Sequence, residues 1–144
     1  MIRVLSIAVA IAIGATAVHA GADAVKQRQE AMKAIAGAAK EPGAVLKGES
    51  QFDLAKIHSS LATYQEQAAK LKDLWPEGSN NGDTAALPAV WEKKSEFLAL
   101  FDKMVADAKA AAANIKDEAS FKAEWPKVMS NCGACHKEYR KAKQ

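Results

Sequence analysis

The chain has 144 residues, 20 basic against 17 acidic side chains, and two cysteines. That is one domain's length with enough apolar residues for a single core, and its near-neutral charge balance excludes nucleic acid as the main partner.

The start does not read as part of the domain. Met1-Ile2-Arg3 is basic, Val4 to Val18 is apolar or small almost throughout, and Val18-His19-Ala20 places small residues at the spacing signal peptidase needs. Residues 1–20 are therefore read as a cleaved secretory signal. A retained membrane anchor needs about 18 or more apolar residues, and this run is shorter. The mature domain is then 21–144, in the periplasm, with 19 basic and 17 acidic residues. Export places the cysteines in an oxidising compartment.

No stretch alternates with the period of a strand, whereas four carry apolar residues at helical spacing. The first expected helix covers about 24–39, with Val25, Met32, Ile35, Ala36 and Ala39 on one stripe and Asp23 as N-cap. Pro42-Gly43 is expected to interrupt it. The second covers about 53–73 through Leu54, Ile57, Leu61, Tyr64, Ala68 and Leu71, and stops at Trp75-Pro76. His58 reads as a boundary histidine of this helix. Residues 76–88, PEGSNNGDTAALP, collect turn formers and read as a loop. The third helix starts near Pro88 and carries Phe97, Phe101, Met104, Ala108 and Ile115. The fourth starts near Asp117 and places Phe121, Trp125, Val128, Met129, Cys132, Cys135, His136 and Tyr139 on one stripe, with Pro126 expected to kink it near its first third. The fold class is all-α: an antiparallel up-down-up-down four-helix bundle.

On a helix, Cys132, Cys135 and His136 are related by i, i+3 and i+4, so both sulfurs and the imidazole project from one face. C-x-x-C-H in this form is the attachment signature of haem c. Each thiol forms a thioether with a vinyl group, and His136 becomes the proximal iron ligand. A thioredoxin-like C-x-x-C belongs at a strand-to-helix junction, which is missing. A structural zinc site takes four ligands, and a plain disulfide leaves His136 unexplained.

Helix geometry ranks the methionines for the other side of the iron. Met129 shares the helix of His136 and is excluded. At ~1.5 Å per residue, Met32 lies ~13 Å and His136 ~9 Å from the same end of the bundle, whereas Met104 at ~24 Å reads as too deep. Met32 is the expected distal residue and the sixth ligand, since thioether with imidazole is an established haem pair. Arg28, one turn before Met32 on the same face, is an odd charge unless an anion meets it there.

These residues resemble the class II cytochromes c, which include cytochrome c prime and its low-spin, methionine-ligated relatives. The resemblance covers the whole mature chain and rests most on C-x-x-C-H near the C-terminus. Arg28 and Met32 in RQEAMKAI are similar to the family's first-helix pattern, and Tyr139-Arg140 to its aromatic-arginine ending. The resemblance implies that Arg28 and Arg140 approach the haem propionates. Residues 75–91 resemble the loop of the low-spin members, which implies a bonded Met32. The expected function is that of a one-electron carrier between periplasmic or membrane redox partner proteins, with no constellation for an enzyme. The alternative is a five-coordinate cytochrome c prime with Met32 only covering the distal face, its iron open to nitric oxide or carbon monoxide. Lys137, Arg140, Lys141 and Lys143 form a basic patch suited either to solubility or to an acidic redox partner. The family often forms a homodimer, for which the small faces of the first two helices are suited.

Overall fold

The computed structural model describes residues 14–142. The signal expected over 1–20 lies largely outside the described residues, as does Lys143. Six helices are present: α1 Gly14–Ala38, α2 Lys40–Leu46, α3 Leu54–Leu71, α4 Ala89–Glu92, α5 Lys94–Asn114 and α6 Glu118–Tyr139. Among the described residues there is no strand, only an isolated antiparallel bridge between Ala86 and Arg140. No helix among them is long and apolar enough to cross a membrane.

The four long helices α1, α3, α5 and α6 are the expected bundle. α3 is held at its start by Asp53, whose carboxylate accepts from Lys56 N at 3.1 Å. Its stripe Ile57, Leu61, Tyr64, Ala68 and Leu71 is fully buried. α6 starts with a capping box in which Asp117 and Ser120 satisfy each other's backbone N–H groups. His58 sits at the boundary as expected, its Nε2 3.2 Å from Ile115 O.

Three local expectations are corrected. α1 begins before Ala24, so Asp23 lies inside the helix and caps nothing. The alanine-rich sequence around it favours continued helix. Pro42-Gly43 does not end the helical path either. The break comes at Ala39, and Pro42 falls in the first turn of α2, where a missing N–H costs nothing. The third helix is divided at Lys93 into the single turn α4 and the long α5. α6, by contrast, runs on through Pro126.

α1 packs along α3, α3 along α5, and α5 along α6. α1 and α6 form no comparable seam. The bundle is therefore closed by side-chain packing on three sides and left apart on the fourth.

Candidate cofactor site

A cavity of about 960 Å³ lies where α1 and α6 stand apart. Its size is that of a cofactor site, and its walls are mainly apolar. α1 contributes Arg28, Met32 and Ile35 to it, and α5 contributes Phe97, Phe101 and Met104. α6 contributes Met129, Asn131, Cys132, Cys135 and His136. The helical spacing thus brings both thiols and the imidazole to one cavity, facing the methionine singled out on α1.

Cys132 and Cys135 are not joined to each other, and both are half-buried. Burial pushes the Cys132 thiol up, and burial followed by the neighbouring Cys132 pushes Cys135 up to about 11. A redox-active dithiol needs a lowered thiol pKa, so this pair does not have the character of thioredoxin. Among the described residues, no three His, Cys, Asp or Glu side chains converge as a metal site of their own. His136 is held below the ordinary histidine value by burial first and by Arg140 second. The Arg140 guanidinium lies 3.4 Å from His136 Nδ1, one turn further along the chain.

Arg28 is only 4% exposed. Its Nη1 donates to Leu74 O at 3.1 Å and Ser79 Oγ at 2.9 Å, and its Nη2 to Ser79 O at 2.7 Å. The guanidinium lies 4.3 Å from the centre of the Trp75 ring, a cation–π distance. None of these partners is an anion, and burial holds the group below its usual pKa. Trp75 also lines the cavity, and its Nε1 is the one buried side-chain polar atom without a hydrogen-bond partner among the described residues. Buried donors are rarely left so. An uncompensated cation and an orphaned donor on one cavity wall fit a ligand that carries carboxylates.

The methionines are arranged differently from expectation in one respect. Met104 lines the same cavity as Met32 and Met129, so depth does not set it apart. α5 lines the cavity as far along as Met104, because distance along a helix does not give how far an opening extends inward. Met129 is committed elsewhere, since its sulfur accepts a hydrogen bond from Tyr64 Oη at 3.4 Å.

Ser79, Asn131 and the Tyr64–Met129 contact were not singled out by the sequence. Asn131, 3% exposed, donates from Nδ2 to Asp107 Oδ2 at 2.7 Å and to Val128 O at 3.1 Å. It thereby ties α5 to α6 immediately before Cys132. Lys103 first and Asn131 second hold the Asp107 carboxyl below its ordinary pKa. A lowered folded value means that its contribution to stability is complete above the unfolded aspartate pKa of about 4 and is lost as pH falls through the folded value. Asp107→Asn is therefore expected to lower stability at neutral pH and to flatten its decline in acid, measured as urea midpoints between about pH 7 and pH 3.

A helical bundle whose open side holds an apolar cavity, with C-x-x-C-H thiols and imidazole on one wall and unmatched positive charge on another, defines a c-type haem protein. The chain belongs to the cytochrome c' family: the family model described as Cytochrome C' matches residues 23–140. It is similar to cytochrome c' of Rhodopseudomonas palustris, with 42% identity covering 99% of this chain and 98% of that one. It is also similar to cytochrome c-556 of Agrobacterium fabrum, with 36% identity covering 88% of this chain and 86% of the relative. The solved structure of R. palustris cytochrome c' superposes with a TM-score of 0.83 at 45% identity, covering 85% of this chain and 98% of that one. An NMR-validated model of oxidised R. palustris cytochrome c556 superposes at 0.77 and 25% identity, covering 85% and 99%. The cofactor is covalently bound haem c with its iron.

Proposed function

We propose that the protein is a periplasmic one-electron carrier in which Cys132 and Cys135 hold the haem, His136 is the proximal ligand and Met32 the sixth. When bound, the haem iron supplies the one-electron couple. The protein's own side chains fix the ligands, exclude water and balance charge. The observation that carries the reading is that Met32 and His136 line one cavity from α1 and from α6. Both stand on long helices, so their positions change little between oxidation states, which suits a carrier. The Tyr64 hydroxyl occupies the Met129 sulfur and leaves Met32 and Met104 as the available thioethers. Met32 is favoured because Arg28 and Met32 repeat the family's first-helix pattern. Arg28 and Arg140 are placed beside the haem carboxylates, with Arg28 using only part of its donor fork on the loop.

The higher identity to a cytochrome c' than to a cytochrome c-556 favours a second reading, in which Met32 covers an iron open to nitric oxide or carbon monoxide. Optical and electron paramagnetic resonance spectra of the ferric protein separate the two. The expected result is a low-spin wild type that becomes high-spin in Met32→Ala and stays low-spin in Met104→Ala. A wild type that is already high-spin selects the gas-binding reading instead.

A further inference from the structure

The open side of the bundle is bridged by one piece of chain. Residues 74–87, between α3 and α4, run across the mouth of the cavity, and Asp83, Thr84, Ala85 and Ala86 form part of its rim. On the α1 side, Leu74 O and both oxygens of Ser79 accept from Arg28, and Asp83 O accepts from Gln29 Nε2 at 2.9 Å. Gly21 rests against the same segment so closely that a Cβ there would stand 3.2 Å from Gly78 O. On the α6 side, Leu87 N donates to Tyr139 O at 3.0 Å and Lys141 N to Ala85 O at 2.8 Å. Lys141 Nζ adds a bond to Thr84 O at 3.1 Å.

Both sets of ties flank the proposed ligands. Arg28 precedes Met32 by about one turn, and Tyr139 follows His136 by about one turn. Since α1 and α6 have no packed seam of their own, no direct side-chain packing between them fixes their separation. We propose that the 74–87 segment is a strap that sets the distance between α1 and α6, with Ser79 as its positioning residue. It thereby controls how closely Met32 covers the iron. The inference rests on the proposed placement of Met32 and His136 on either side of the cofactor.

Ser79 suits the part because it is fully buried in a segment of polar, turn-forming composition. Its hydroxyl accepts from Arg28 and donates to Pro76 O at 2.7 Å. It locks the turn to itself and to α1 at one point.

The test uses the holoprotein with Gln29→Ala and Ser79→Ala combined, which loosens the α1 ties without touching a proposed ligand. Phe52→Leu, at the far end of the bundle where Phe52 meets Phe121, serves as a control matched for thermal stability. Carbon monoxide association with the reduced protein is followed by stopped flow, and amide exchange is followed over residues 25–36. The strap variant is expected to bind carbon monoxide about tenfold faster and to exchange faster in α1, while the control does neither. A strap variant that binds at the wild-type rate, or a control that accelerates as much, would overturn the proposal. The ferric spin state of the wild type reports separately on Met32 ligation, and an open iron would still register the loosened strap in the association rate.

Discussion

Replacing Cys132 and Cys135 by serine is expected to yield a chain that carries no covalent haem and cannot keep the shape described above. Emptying an apolar cleft of about 960 Å³ costs the packing of its walls, against a total stability of only about 5–15 kcal/mol usual for a domain. Water entering at the mouth removes part of that cost, yet the walls facing it are Ile35, Phe97, Phe101 and the methionines, which gain little from water. The open side is expected to collapse or α1 to fray. Denaturing mass spectrometry should show the loss of the haem mass. Near-ultraviolet circular dichroism should weaken more than the far-ultraviolet signal, because α3, α5 and α6 retain their mutual packing. A serine variant with the native stability and dichroism would mean that the cavity is not the cofactor's place.

The second large effect is expected from Arg28→Leu. Leucine fills part of the arginine's volume but leaves Leu74 O and Ser79 O, both accepting from the guanidinium, without their charged donor. Hydrogen bonds to charged groups contribute about 1.5–3 kcal/mol each, with incomplete additivity. The contact with the Trp75 ring at 4.3 Å is lost as well. Removing a buried cation returns some desolvation cost, so the net loss is set at about 3 kcal/mol. Guanidinium unfolding of the haem-loaded variant measures it. A change below about 0.5 kcal/mol would show that the cost of burying the Arg28 cation cancels what its hydrogen bonds contribute.

How much was legible in the sequence depended on whether a feature was local. The stripe from Ile57 to Leu71, the helix starts near Asp53 and Asp117 and the C-x-x-C-H face are consequences of helical periodicity, and they appear in the structure where the sequence puts them, whereas the one cap read from the sequence, Asp23, lies inside α1. Pro42 misled because its effect depends on where a helix begins, and within a first turn it is harmless. Met104 was misplaced because distance along a helix gives depth but not the extent of a cavity. Ser79 was invisible for a different reason: nothing in GSNNGD marks one serine for burial, since its role comes from a guanidinium 51 residues away. Asn131 is similar, as its partner Asp107 lies on another helix.

The open side of the bundle also bears on what holds the protein together at low concentration. A haem that merely sat in the cavity would stabilise the fold by mass action, and that contribution would shrink on dilution as cofactor dissociated. Covalent attachment removes this dependence, because the missing seam is filled by something that cannot leave. The haem then behaves as a permanent interior residue, and a single dilute molecule is as well closed as one in concentrated solution.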